Sequence, residues 1–196
     1  KLRGTSLLGA LELSGLQTLQ KRVVQIKTLK ASRVFEETSI TIETDLPEAL
    51  SAAVSEILLC RVQLQEYIQL HPGFLTSLEP VEIDYGAPKV VRRMAGAAFA
   101  VGVGPMAAVA GAIADLAVEA MTLTGVRVRV VENGGEVAAV SQYPVNVEVR
   151  VGDTTLDSRL GWCLLPSDMP VGIGSSSATL GRGITFGEAD VATVFA

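Results

Sequence analysis

From Met94 to Ala114 the chain carries no charged side chain, and a run of this kind must be placed in a membrane or in a core before anything else can be built. It approaches the length that spans a bilayer, about 20 residues. Its composition points elsewhere. It consists of Ala and Gly with few large side chains, and GVGP at 102–105 interrupts it with residues that end one helix and start the next. Two short buried helices are therefore expected, and no membrane partner. The first runs from Pro88 to near Gly102. The second runs from Pro105 to Gly125, where glycine supplies a left-handed C-terminal position. This second helix is apolar nearly all round, which makes it central, with Ala110 facing the core.

Before this pair, Leu50, Val54, Ile57, Leu64 and Ile68 recur at helical spacing, giving an amphipathic helix that ends near His71-Pro72. Asp45 and Glu48 read as its capping pair, with Pro47 in the first turn. Val23 to Leu29 and Ser39 to Thr44 alternate apolar and polar side chains as half-buried strands do, with a turn in the polar stretch between them. After the helices the period returns to two. Val126, Val128 and Val130 alternate with Arg127 and Arg129, ENGGE at 132–136 turns, and Val137 to Val140 completes a hairpin. Further strands are expected over Val145 to Val151, Leu160 to Leu165 and Asp190 to Phe195. Residues 1–20, leucine-rich but broken by Gly9 and Gly15, read as an arm or weak helix, and 21–196 as one domain. Strands, helices and strands in blocks indicate an α+β fold with helices packed on a largely antiparallel sheet.

A net charge of −5 and a pI near 5.0 leave no basic stripe for a nucleic-acid partner. Cys60 and Cys163 lie far apart in apolar contexts, as buried thiols of a cytoplasmic protein would. Ser175, Ser176 and Ser177 lack a base, because the only histidine, His71, sits at a helix end where an imidazole can bond free carbonyls. One histidine and two distant cysteines make no zinc site. A metal would be hard and oxygen-bound, with Glu132, Glu136, Asp115, Glu188 and Asp190 as candidate ligands, although carboxylates near turns are more often solvated or capping.

Three segments could surround an anion. GVGP, with Gly104, Pro105 and Met106, precedes a helix N-terminus, although two glycines there also serve simply to close one helix and cap the next. GIGSSSATLGRG at 172–183 offers backbone N–H groups, the hydroxyls of Ser175, Ser176, Ser177 and Thr179, and the guanidinium of Arg182; a plain surface loop explains it equally well. Glu132, Asn133, Gly134, Gly135 and Glu136 read on spacing alone as a hairpin turn.

Taken together, HPGFLTSLEP at 71–80, VGPMAAVAGAIADLAVEAM at 103–121, VENGG at 131–135 and SSSATLGRGITFGEADVATV at 175–194 resemble the ApbE-like family of unknown function over residues 23–196. A more remote likeness is to FAD:protein FMN transferases, in which a helix, a Gly-Gly-acidic turn and a later Thr-Ser-Gly stretch surround the flavin nucleotide. The resemblance implies that the three segments converge on one pocket for FAD or another nucleotide, with Mg as its metal. Glu136 stands where those enzymes carry Asp, Ala178 where they carry Gly and Arg182 where they carry His, so transfer chemistry is not carried over; their magnesium-binding Asp and Thr segment is expected beyond Ala196, so the Mg site is assigned to no residue of this sequence. No catalytic residue is assigned. The leading expectation is a flavin- or nucleotide-binding protein, with a flavin transferase as its enzymatic form. The alternative is a non-enzymatic homo-oligomer, which the 5% aromatic content favours because few rings are present to stack on a flavin.

Overall fold

The computed structural model describes residues 11–12, 26–35, 38–149, 160–178, 187–189 and 191–196. Its strands are β1 (Leu11–Glu12), β2 (Leu29–Phe35), β3 (Thr38–Thr44), β4 (Val128–Asn133), β5 (Glu136–Ser141), β6 (Val145–Glu148), β7 (Leu160–Leu164), β8 (Val171–Ser176) and β9 (Ala192–Phe195). Its helices are α1 (Pro47–Leu70), α2 (Pro72–Thr76), α3 (Lys89–Val101) and α4 (Val109–Thr122), the last preceded by a 3-10 turn over Pro105–Ala108. The fold is α+β, and every strand pair is antiparallel.

Six strands form the main sheet in the order β2-β3-β4-β5-β8-β9, and a smaller sheet has the order β1-β7-β6. The pleat gives each strand two faces. On one face Ile40, Ile42, Val131 and Ala138 join the helices in the main core. On the other, Val137, Ala139 and Ile173 meet Leu164 and Trp162 of the small sheet, and Trp162 packs edge-on against Phe195 with ring centroids 4.9 Å apart. The result is three layers: helices, main sheet and small sheet.

The uncharged stretch behaves as two helices. α3 ends at Gly102, whose φ of 74° is the left-handed value that glycine tolerates without strain. Among the described residues Pro105–Thr122 is the one helical stretch long and apolar enough to cross a membrane, yet Ala112, Ala114, Leu116, Ala117 and Met121 bury one side of it in the core. Ala110 is only partly buried, at the flank of α4, so the expectation that it faces the core is met instead by Ala114 and Ala117. Small side chains let α4 lie close to both α1 and the sheet. α1 presents Ala49, Ala53, Ile57, Cys60, Leu64 and Tyr67 along one stripe. Burial pushes the Cys60 thiol up to about 12, as expected for an inert core cysteine, and Cys163 is a second free thiol, partly buried. Across the outer surface, Arg93 pairs with Asp115 and Glu119, and Lys89 also reaches Glu119, joining α3 to α4.

Several boundaries differ from the sequence reading. Asp45 does not cap α1, whose N-cap Leu46 makes no side-chain bond. Its nearly closed-off carboxylate instead accepts the backbone N–H groups of Arg127 and Val128 and the Arg127 Nε, at 3.0, 3.0 and 2.9 Å. Burial alone would raise its pKa, but these donors outweigh it and hold the carboxyl below the usual range. Of the strand expected over Val23 to Leu29, residues 23–25 lie outside the described residues and 26–28 are not in a strand; β2 runs over Leu29–Phe35, so part of the presumed turn is an edge strand whose exposed face carries no hydrophobic alternation. Residues 172–183 read from the sequence as an anion-binding or plain surface loop, but Val171–Ser176 is extended. It is β8, held between β5 and β9, and Ile173 is its one fully buried apolar side chain. Leu11–Glu12 pairs with β7 as a strand, and the rest of the arm lies outside the described residues.

Gly104 has a packing duty. A Cβ built there would lie 1.9 Å from the carbonyl oxygen of Ser77, so the chain after α2 sits directly on it. Gly104→Ala should therefore cost about 1–3 kcal/mol through overpacking, read as a lowered Tm in thermal unfolding. An unchanged Tm would show that this contact is not tight.

Candidate functional site

The β4–β5 hairpin turns through Gly134 and Gly135, whose φ values of 63° and 107° suit a two-residue primed turn. Glu132 steadies it, its Oε1 accepting the Gly135 N–H at 2.9 Å, while the Gly134 N–H donates to Ser39 at 3.2 Å. The tight turn fixes the register, making Asn133 the direct partner of Glu136. Asn133 shares the face of Val131, and Glu136 that of Ala138, so both side chains stand on the helix side of the sheet. Their row begins with Arg33 on β2 and passes through Ile40 on β3. On β8 it continues to Gly174, two residues beyond the partner of Ala138, and then to Val194 on β9.

Asn133 is 2% exposed, and its Nδ2 donates to the Ala110 carbonyl in the first turn of α4 at 2.9 Å. Its Oδ1 is buried without a donor. A buried acceptor left unmet costs about 1–3 kcal/mol, so the fold keeps here a group that wants an N–H or O–H. Beside it, burial raises the pKa of Glu136, and the charge of Glu132 adds to the effect. Beyond Glu136 the helix layer no longer covers the sheet. A Cβ on Gly174 would meet nothing within 4 Å, Val194 is 66% exposed, and Ser176 and Ala192 are exposed as well. Among the described residues an open shelf thus runs from the buried Asn133–Glu136 corner across β8 towards Ser176.

The three expected segments behave differently. Turn and β8 are brought together through the register of β5. The 3-10 turn leads into the helical turn that holds Asn133, but Gly104 and Pro105 are buried and Met106 packs on the main core, so GVGP offers structure more than cradle. Ser175 points to the opposite face, where its hydroxyl lies 3.0 Å from that of Thr193, while Ser176 lines the shelf. Thr179 and Arg182 lie outside the described residues, as does Asp190. Asp115 is engaged by Arg93 and Glu188 is exposed; among the described residues no group of three His, Cys, Asp or Glu is arranged to hold a metal. His71 has the expected structural role: its Nδ1 lies 3.1 Å from the Tyr67 carbonyl, its Nε2 lies 2.9 Å from Asp84, and its ring stacks on Tyr67. Sequence reasoning put Asn133 in the expected pocket as a turn residue without its burial beneath α4, and read Gly174 as part of a loop because β8 was not recognised.

A family model described as "AbpE bacteria" matches residues 23–196. A UPF0280 protein of Methanococcoides burtonii is 41% identical over 161 residues, covering 82% of this chain and 68% of that protein. One from Methanosphaerula palustris is 38% identical over 168 residues, covering 86% and 70%. One from Methanosarcina acetivorans is 41% identical over 161 residues, covering 82% and 63%. The chain spans roughly two thirds of the length of these relatives. These findings correct the expected family: the segments likened to ApbE-like proteins and FMN transferases belong to a chain that matches the AbpE bacteria model and UPF0280 proteins.

Glu136 gives the corner a pH signature. A raised folded pKa means that the native state holds this proton more tightly than the unfolded chain does. Its contribution to stability is therefore greatest below the ordinary glutamate range and declines as pH rises through the folded value. Glu136→Gln should remove that decline, leaving the variant more stable than wild type at neutral pH and indistinguishable from it in acid. Urea unfolding of both proteins across pH measures the difference, and parallel curves would contradict it.

Proposed function

We propose a function from one premise: the chain belongs to the family described as AbpE bacteria, in the company of the UPF0280 proteins. The protein binds a nucleotide on the helix side of β5, β8 and β9, with the base against Asn133 and Glu136 and the phosphates directed along β8 towards Ser176. The observation that carries this reading is the buried Asn133 Oδ1 without a donor, at the inner end of a shelf that opens to solvent over Gly174. Val194 supplies an apolar surface beside that glycine for a base. We place the protein in the cytoplasm, which its two free thiols suit. The activity, substrates and partners of the longer proteins it resembles belong to the same proposal.

A second reading, a non-enzymatic homo-oligomer, is favoured by Leu70, Leu78, Phe99 and Val101, each at least 65% exposed. Light scattering distinguishes it: a monomer across the concentrations used for binding sets that reading aside.

Under the first reading, purified protein should be stabilised by at least one of GDP, ADP, FMN or FAD. At a ligand concentration a hundred times Kd, the gain is about 2.7 kcal/mol, visible as a raised Tm. Buffer-like melting with all four would reject nucleotide binding.

A further inference from the structure

Which part of a nucleotide the corner reads follows from the groups it offers. Asn133 and Glu136 are direct cross-strand partners on one face, so their Cβ atoms stand about 4.5–5.5 Å apart. Asn133 Oδ1 can only accept, and one of the two N–H groups of its amide is held by the Ala110 carbonyl. Glu136 in its ionised form also only accepts, and the charge acting on it is another acid, Glu132. Two adjacent acceptors in an acidic corner disfavour phosphate and select neighbouring N–H donors. Gly174, the next position in the row, has no side chain, so a flat ring can lie over it.

We propose that this corner recognises a 2-amino-4-oxopyrimidine edge, the edge of guanine, whose ring N–H and exocyclic amino group donate to Glu136 and to Asn133 Oδ1. The proposal rests on the nucleotide reading above. Adenine sets a ring acceptor beside its amino group, and a flavin sets a single N–H between two carbonyls, so each would bring lone pairs against the carboxylate. Hypoxanthine keeps the ring N–H but lacks the amino group. Asn133 Oδ1 is closed to solvent in the free chain, so the packing around it must give way to admit the edge.

Titration calorimetry on the full chain with GDP, IDP, ADP, FMN and pterin-6-carboxylate tests this. GDP should bind about tenfold or more tighter than IDP and ADP, because a site built around donors leaves its acceptors unpaired when a donor is missing. Glu136→Gln should lose most of that preference while melting cooperatively. Gly174→Ala, whose Cβ enters open space and leaves the strand intact, should weaken GDP by crowding the ring. Equal affinity for GDP, IDP and ADP overturns the guanine edge and leaves the nucleotide reading standing. Binding of the pterin alone, which carries the same edge without ribose or phosphate, keeps the edge and overturns the nucleotide reading. No binding of any compound overturns both, and an unchanged GDP preference in Glu136→Gln removes Glu136 from the corner.

Discussion

Close approach of α4 to its neighbours is the constraint on which the remaining structure depends. A helix built from Ala112, Ala114 and Ala117 can be covered by α1 on one side and by β4 and β5 on another, which larger side chains would hold apart. Its position determines what lies beneath its first turn. The Ala110 carbonyl meets Asn133 there because α4 crosses the sheet at the row of the β4–β5 turn. Had the helix carried bulky residues on this side, the asparagine would have faced solvent and its unmet oxygen would have been hydrated.

The same placement explains why the sheet is covered unequally. Helices lie over β3, β4 and β5, whereas Ser176, Ala192 and Val194 on β8 and β9 face outward on that side. On the reverse side coverage is supplied by the small sheet, through Leu164 and through Trp162, which packs on Phe195 of β9. The candidate site is the boundary between the covered and uncovered parts of one face. Its polarity is concentrated at the hairpin turn because a tight turn lets two polar side chains stand opposite each other without interrupting the ladder behind them.

Much of this layout was legible in the residues. Charge-free Ala and Gly with an interrupting GVGP gave two helices, and the return to alternation at Val126 gave the hairpin, because both patterns reflect burial on a fixed period. The failures share a cause. β2 is an exposed edge and β8 is rich in glycine, so neither carries the apolar alternation by which a strand announces itself; both exist through pairing with neighbours. Asp45 looked like a cap because capping is a local pattern, whereas its partners lie 82 and 83 residues away. The unsatisfied oxygen of Asn133 could not be read from composition at all, since a turn asparagine and a buried one have the same letter, and only the position of α4 separates them.

The clasp of Asp45 with Arg127 and Val128 bears on the order in which the chain can assemble. It sits where β3 ends and β4 begins, so the whole helical layer leaves the sheet and returns to it through one neck. Pairing β3 with β4 therefore means closing a loop of more than eighty residues, a search whose entropic cost grows with the logarithm of loop length. Helices that condense early, α1 onto α4 and α4 onto α3, shorten the effective loop before the strands meet. Were the helices to condense first, the neck would close last and the helical layer would set the pace of the sheet.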